Sequence, residues 1–265
     1  MKKFEGILLA SDLDGTLLCD DKSISEENIK AIEYFKSEGG TFIFITGRLP
    51  VNAKVVADAV KPNGPCGCLN GGGIYDYEKG EYLWNTAISR ESFAYIDYVY
   101  KNYPEIGIEF NCFDNVYFIR KNPSVMNHIR NEKLPDLSAD YTNFNKPVAK
   151  LLFGGKFEVI RKIMDEVKEL PGADNYDIIR SDEEYYEIMP KGIHKGVIIR
   201  ELRKLLPQIK IFVAVGDNDN DEEMLLAADY SIAVSNAKEK TKKAADIITV
   251  SNNESAIAKI IYTLL

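Results

Sequence analysis

The chain has 265 residues, enough for one large domain or two modest ones with a real buried core. Apolar residues make up 45% and charged residues 28%, the mix of a soluble globular protein. A formal net charge of -8 repels polyanions, so it argues against nucleic acid or an anionic membrane surface as a partner, and a small anion needs local cations or a metal to receive it.

The four cysteines are Cys19, Cys66, Cys68 and Cys112. Cys66 and Cys68 are too close for a zinc knuckle and no second pair follows, so free thiols in a reducing compartment are expected. Two histidines make a His-built metal site a poor prospect. After Met1-Lys2-Lys3, the apolar run Ile7–Ala10 is too short for a signal-peptide core, and no stretch reaches the ~20 apolar residues of a membrane helix. A cytoplasmic protein is expected.

Ile7–Ala10 reads as a buried strand, ended by the turn signal Asp14-Gly15. Ser25, Glu26 and Glu27 open a helix whose Ile29, Ile32 and Phe35 share a face, and Gly39-Gly40 stops it. Thr41–Ile45 is the next strand, closed by Thr46-Gly47, and a helix fits about Val51 to Val60. This strand–helix alternation predicts a parallel sheet with helices on both faces. The rhythm changes after about Tyr82. A helix from Arg90 to about Tyr103 precedes two β-rich runs, Gly107–Phe113 and Asn115–Arg120, with a hairpin turn between them. A helix near Ser124–Asn131, a strand at Val148–Phe153, a helix at Phe157–Glu169 and strands at Tyr176–Arg180 and Tyr185–Met189 follow. This is an α+β segment of antiparallel character, read as an inserted domain. The parallel pattern returns with a helix at Lys195–Leu205, a strand at Ile211–Val215, a helix at Asp221–Ala228, a strand at Tyr230–Val234 and a helix at Glu254–Leu264.

Four short stretches carry chemistry. Asp12 and Asp14 stand at the carboxyl end of the first strand, where open α/β sheets bind ligands, and their mutual repulsion invites a cation. Thr46-Gly47-Arg48 supplies a hydroxyl and backbone N–H groups at a helix start, an anion site. Lys195 opens a helix, where the dipole disfavours a cation unless an anion is also bound. Gly216-Asp217-Asn218-Asp219-Asn220-Asp221 puts three carboxylates in five residues, suited to a hard divalent ion but without EF-hand spacing. Alone, each has an ordinary reading as a turn, cap or solvated loop. Together they fall at the same edge of one sheet.

With these residues the chain resembles the haloacid dehalogenase superfamily of phosphohydrolases, and within it the Cof-type branch with an inserted α/β cap. The matching motifs are Asp12-Leu13-Asp14-Gly15-Thr16-Leu17-Leu18, Ile45-Thr46-Gly47-Arg48, Lys195 within Pro190–Gly196, and Gly216–Asp221, with Asn70-Gly71 and Asn236-Ala237 beside them. Ser255-Ala256-Ile257 departs from the Gly-Val-Ala frequent in relatives, away from the chemistry. The resemblance spans essentially the whole chain. It implies a Rossmann-like parallel-sheet core (1–82 and 188–265) and an inserted α+β cap (83–187) acting as a substrate-specificity lid.

The resemblance further implies that Asp12 attacks phosphorus and becomes an aspartyl phosphate, with Asp14 as general acid and base. Magnesium would be held by Asp12, Asp217 and the backbone carbonyl of Asp14, with Asp221 steadying it. Lys195, Thr46, Gly47, Arg48 and Asn220 would bind the phosphoryl group. A small phosphorylated metabolite, by default a sugar phosphate, is the expected substrate. A phosphomutase would share these motifs, and a phosphometabolite sensor would keep the pocket without needing both Asp12 and Asp14. Gly154-Gly155-Lys156-Phe157 lacks the Ser or Thr of a P-loop, and Asn70-Gly71-Gly72-Gly73 is not a dinucleotide fingerprint. In the cap, Tyr117, Arg120 and Tyr185 could contact a leaving group, but they read first as ordinary cap packing and no role is assigned to them. His128 and His194 read as structural or exposed. Oligomeric state is left open.

Overall fold

Apolar runs become strands and amphipathic segments become helices in the computed structural model, which describes residues 2–265. The chain begins with β1 (Ile7–Ser11), α1 (Glu26–Ser37), β2 (Thr41–Phe44), α2 (Pro50–Val60), β3 (Cys66–Cys68), β4 (Gly73–Asp76) and β5 (Glu81–Asn85). Next come α3 (Phe93–Asn102), β6 (Gly107–Cys112), β7 (Val116–Arg120), α4 (Pro123–Asn131), β8 (Val148–Gly154), α5 (Phe157–Lys168), β9 (Tyr176–Asp182) and β10 (Tyr185–Pro190). It closes with α6 (Lys195–Leu205), β11 (Ile211–Gly216), α7 (Glu222–Ala227), β12 (Tyr230–Ala233), α8 (Glu239–Ala244), β13 (Ile247–Ile248) and α9 (Ala256–Thr263). Two units result: the chain up to Asn85 together with His194–Leu265, and Thr86–Ile193. Leu83–Asn85 stay with the first unit because β5 pairs with β4. At the other end β10 runs on to Pro190, so the division falls later than residue 188.

The first unit is an α/β fold on a five-stranded sheet of order β13-β12-β11-β1-β2, parallel throughout. Successive residues of β1 point to opposite faces, yet Leu8, Leu9, Ala10 and Ser11 are all fully buried, so both faces are covered. Helices α1, α2 and α9 pack together, and α6, α7 and α8 form another group. Each phenylalanine buried here, such as Phe42, Phe44 and Phe212, contributes about 1.5–3 kcal/mol through removal from water.

Helix α1 starts as its sequence requires. The Ser25 side chain accepts the N–H of Asn28, and Glu26 and Glu27 complement the dipole in the first turn. Its buried face differs from the expected one: Asn28 is fully buried and Ile29 only partly. The Asn28 carboxamide oxygen accepts the N–H of Ala258 at 2.9 Å, a bond that joins α1 to α9 and that an apolar count overlooks. A further difference is a small antiparallel sheet, β3-β4-β5, which meets the main sheet through a parallel bridge between Ile45 and Gly67.

The second unit is an antiparallel sheet of order β7-β6-β8-β10-β9. Its core joins Phe110, Leu151, Phe153 and Ile188 to Ile96 and Val99 of α3 and to Ile160, Ile163 and Met164 of α5. The four cysteines are free thiols, Cys66, Cys68 and Cys112 buried and Cys19 partly so. Among the described residues no helix is long and apolar enough to cross a membrane.

Candidate active site

Strand order places the site. The connection after β1 leads to β2 on one side, while β11 lies on the other side of β1. In an open parallel sheet the crevice beyond the carboxyl ends at such a reversal is where ligands bind. Asp12 follows β1 directly, and its backbone N–H still donates to the Val215 carbonyl of β11 at 2.9 Å. Asp217 follows β11 directly. The sheet itself therefore brings together two carboxylates that are far apart in sequence.

Asp12, Asp217 and Asp221 each offer a carboxylate oxygen, and these oxygens lie within 4.8 Å of one another. Lys195, the first residue of α6, enters the same cluster and is 1% exposed. Its Nζ donates to Asp12 Oδ1 and to Asp221 Oδ1, both at 2.6 Å. Asp221 is completely enclosed. Its Oδ2 accepts the backbone N–H groups of Asp217 and Asn218, each at 3.0 Å, so both of its oxygens are engaged. That closes the Gly216–Asp221 loop on itself. Asp217 is fixed from the other side by the Thr16 hydroxyl, which donates to Oδ1 at 2.8 Å.

Gly15 makes this approach possible. Its φ is +81°, and a Cβ there would lie 2.5 Å from Asp217 Oδ2, closer than atoms can come. The carbonyl of Gly15 accepts from Asn236 Nδ2 at 2.8 Å.

Two buried carboxylates and a half-buried one around a single ammonium leave an excess of negative charge. Burial, reinforced by Asp221, pushes the Asp12 carboxyl well above the ordinary range despite Lys195. Burial also raises Asp217, against the bond from Thr16. For Lys195, burial acts to lower the pKa, but Asp12 and Asp221 outweigh it and the ammonium is held more firmly than usual. An all-oxygen set with surplus negative charge suits a hard divalent cation. Asp12 and Asp217 are the residues able to hold one, since Asp221 is committed to Lys195 and its own loop.

Most of the remaining candidates are joined to one another by a run of hydrogen bonds. Thr46 is buried, its Oγ1 accepts the Arg48 N–H at 3.2 Å, and its carbonyl accepts the Asn70 N–H at 3.1 Å. Asn220 Nδ2 donates to Asn70 Oδ1 at 3.1 Å. Gly47 packs against the Asn70 side chain, where a Cβ would come within 2.8 Å of Oδ1. Asp14 lies outside the acidic cluster. The Arg48 guanidinium grips it with two parallel bonds, Nε to Oδ2 at 2.8 Å and Nη2 to Oδ1 at 2.6 Å, and Lys22 Nζ adds a third at 2.9 Å. Burial would raise Asp14, but the bonds from Arg48 and Lys22 outweigh it and hold the carboxyl below its usual value.

Thr16, Lys22 and the orienting part of Asn70 are contributions the sequence argument did not assign. Thr16 and Asn70 stand inside motifs it quoted, whereas nothing marks Lys22 among many surface lysines. In the second unit, Tyr117, Arg120 and Tyr185 all have structural partners. Arg120 donates to the carbonyls of Ile106, Tyr100, Val99 and Tyr103 at 2.7–3.2 Å. Tyr185 donates to the Ser124 carbonyl at 2.7 Å, and Tyr117 bonds Asp114 and Lys146.

An acidic cluster suited to a divalent ion at the sheet reversal, with a buried lysine and a Thr-bearing loop beside it, fits the class of phosphoryl-handling α/β hydrolases. The family profile for haloacid dehalogenase-like hydrolases matches residues 9–261, and the chain belongs to that family, in its Cof-type branch. A Bacillus subtilis relative, 5-amino-6-(5-phospho-D-ribitylamino)uracil phosphatase YitU, is 26% identical over 96% of both chains. The solved structure of TM0651 from Thermotoga maritima is 29% identical, with a TM-score of 0.85 over 96% of each chain. That of a haloacid dehalogenase-like hydrolase from Bacteroides thetaiotaomicron is 25% identical, with a TM-score of 0.86 over 99% of this chain and 100% of that one.

Proposed function

We propose that the protein is a magnesium-dependent phosphatase that cleaves a small organic phosphate ester through a phosphorylated Asp12. The observation that carries this reading is the Asp12–Lys195–Asp221 arrangement beside Asp217: a buried carboxylate at a strand end, held by a buried ammonium, next to a second carboxylate free to share a cation. Phosphatases among the relatives, such as YitU, add weight to it.

Asp12 and Asp217 would hold the cation, with the backbone carbonyl of Asp14. When bound, a divalent ion supplies positive charge that offsets repulsion between the Asp12 carboxylate and an anionic phosphate. The chain's own residues do the rest. Lys195 fixes Asp12 in one orientation and has a further N–H to offer a phosphate oxygen. The Thr46 hydroxyl and the Asn220 amide, linked through Asn70, would hold other phosphate oxygens, with Gly47 and Arg48 completing the loop. Asp12 attacks phosphorus, the P–O bond to the alcohol breaks, and the alcohol oxygen takes a proton from Asp14. Water then attacks the aspartyl phosphate, gives its proton to Asp14, and inorganic phosphate leaves with Asp12 restored.

Asp14 as found is a carboxylate clasped by Arg48 and Lys22, the form that accepts a proton. Donating one to the alcohol requires those two cations to let go, which a phosphate competing for Arg48 would promote. The second unit is assigned the recognition of the organic part of the substrate, with sugar phosphates as the leading class.

A phosphate-release assay with and without magnesium, over sugar phosphates, nucleotides and pyridoxal phosphate, tests the reading. At least one ester should be hydrolysed in a magnesium-dependent way, and Asp12→Asn should abolish turnover. Near-normal activity of purified Asp12→Asn protein would refute the nucleophile.

A further inference from the structure

Between β3 and β4 the backbone enters the left-handed region at three successive residues, Leu69 (φ +58°), Asn70 (φ +53°) and Gly71 (φ +107°). No other run of three occurs among the described residues. Glycine tolerates this region and asparagine adopts it more readily than most, but a bulky residue such as leucine is an outlier there. Such strain persists only where the surroundings hold it, and it gathers at functional sites. Leu69 is fully enclosed, so its side chain is locked in the core.

This one turn touches three loops that are far apart in sequence. The N–H of Leu69 donates to the Arg48 carbonyl and that of Asn70 to the Thr46 carbonyl, each at 3.1 Å. Asn70 Oδ1 accepts from Asn220 Nδ2 at 3.1 Å. The Gly71 backbone lies against His194, the residue before Lys195, and a Cβ on Gly71 would stand 2.2 Å from the His194 carbonyl oxygen. All of these residues belong to the first unit. The Asn70–Gly73 run, which matches no nucleotide-binding pattern, thus joins the loops that carry Thr46, Asn220 and Lys195.

Backbone and side chain of Asn70 do different work. The backbone bond to Thr46 survives a change of side chain. Only the side chain reaches Asn220, and it also lies against Gly47. An anion is received by an N–H and repelled by a carbonyl oxygen. The Asn220 amide carries both, and its bond to Asn70 Oδ1 engages one N–H and leaves a second to give.

We propose that Asn70 is a positioning residue for phosphate. Held in the left-handed turn, it orients the Asn220 amide so that an N–H and not the carbonyl meets the anion. No hydrogen bond joins it to Asp12 or Asp217 among the described residues, so its effect falls on phosphate and not on the cation. The assignment rests on the phosphatase reading and deepens it.

Calorimetric titration of the magnesium-loaded protein with inorganic phosphate tests it, on the wild type, Asn70→Gly, Asn220→Ala and the double variant. Glycine adopts the left-handed region freely, so Asn70→Gly removes the side chain and keeps the turn. Each single variant should bind phosphate at least about fivefold more weakly, the scale of a lost hydrogen bond to a charged group. The double variant should be no more than about twofold weaker than the poorer single one, because the two residues act as a unit. Magnesium affinity of Asn70→Gly should stay within about twofold of the wild type, a split that general loosening of the site would not produce. Losses that multiply in the double variant, wild-type phosphate affinity in Asn70→Gly, a parallel loss of magnesium affinity, or failure of Asn70→Gly to fold would each overturn the assignment. Wild-type protein that hydrolyses an ester yet binds no inorganic phosphate also overturns it, while leaving the phosphatase reading intact. Wild-type protein that does neither sinks both.

Discussion

Replacing Lys195 by Met removes the ammonium that Asp12 and Asp221 share at 2.6 Å each. Methionine fills nearly the same space, so the packing loss is small. Metal-free, the variant is left with three carboxylates clustered within 4.8 Å and no cation. Deleting one partner of a buried ion pair costs about 3–5 kcal/mol. Burial and Asp221 already push the Asp12 carboxyl up to about 8, so at pH 7 the metal-free site carries a proton there with or without Lys195, and protonation of Asp12 does not offset the loss. The loss of stability should then be about 3–5 kcal/mol at pH 7. Urea unfolding in EDTA, followed by the single tryptophan, Trp84 in β5 of the first unit, measures it. A deficit under about 1 kcal/mol at pH 7 would refute the reasoning.

Gly15→Ala should weaken divalent-ion binding at least about tenfold and lower stability, because the new methyl group meets Asp217 in a backbone conformation only glycine adopts freely; calorimetric titration with magnesium checks it. For His128, burial acts to lower the pKa, but Glu109 outweighs it and holds the imidazolium above its usual value. Its stabilising contribution is therefore complete below the unfolded pKa of about 6.5 and lost as pH rises through the folded value. The Tm difference between wild type and His128→Gln should shrink between pH 6 and pH 9. Arg120→Ala should lower Tm while leaving KM for a good substrate within about twofold, since its bonds go to four backbone carbonyls.

Much of the first unit was legible because a parallel sheet buried on both faces writes itself as unbroken apolar runs. Ile7–Ala10, Thr41–Ile45 and Ile211–Val215 stand where β1, β2 and β11 do. Asp12 and Asp217 follow from the strand ends. Lys195 was flagged by its awkward place at a helix start, and the structure gives it two carboxylates to hold. What pattern could not reveal is pairing between distant polar groups. Asn28 looks like a surface residue of α1 until Ala258 meets it. Asp14 reads as a free acid, yet Arg48 and Lys22 hold it. β3 is three residues with a central glycine, too short for periodicity, and only β4 and β5 make it a sheet. Lys150 is a single charge inside the apolar run of β8. Its partner Glu187 is two strands of sequence away, so neither announced the pair they form.

Asp12 is the residue proposed to carry the phosphoryl group. Rapid mixing with a hydrolysed ester and magnesium, an acid quench and borohydride reduction would convert an acyl phosphate to an alcohol, leaving homoserine where the aspartate stood. Mass spectrometry of the peptide containing residues 7–22 should find homoserine at position 12. Steady turnover with Asp12 unmodified, or with the label on another carboxylate, would contradict it.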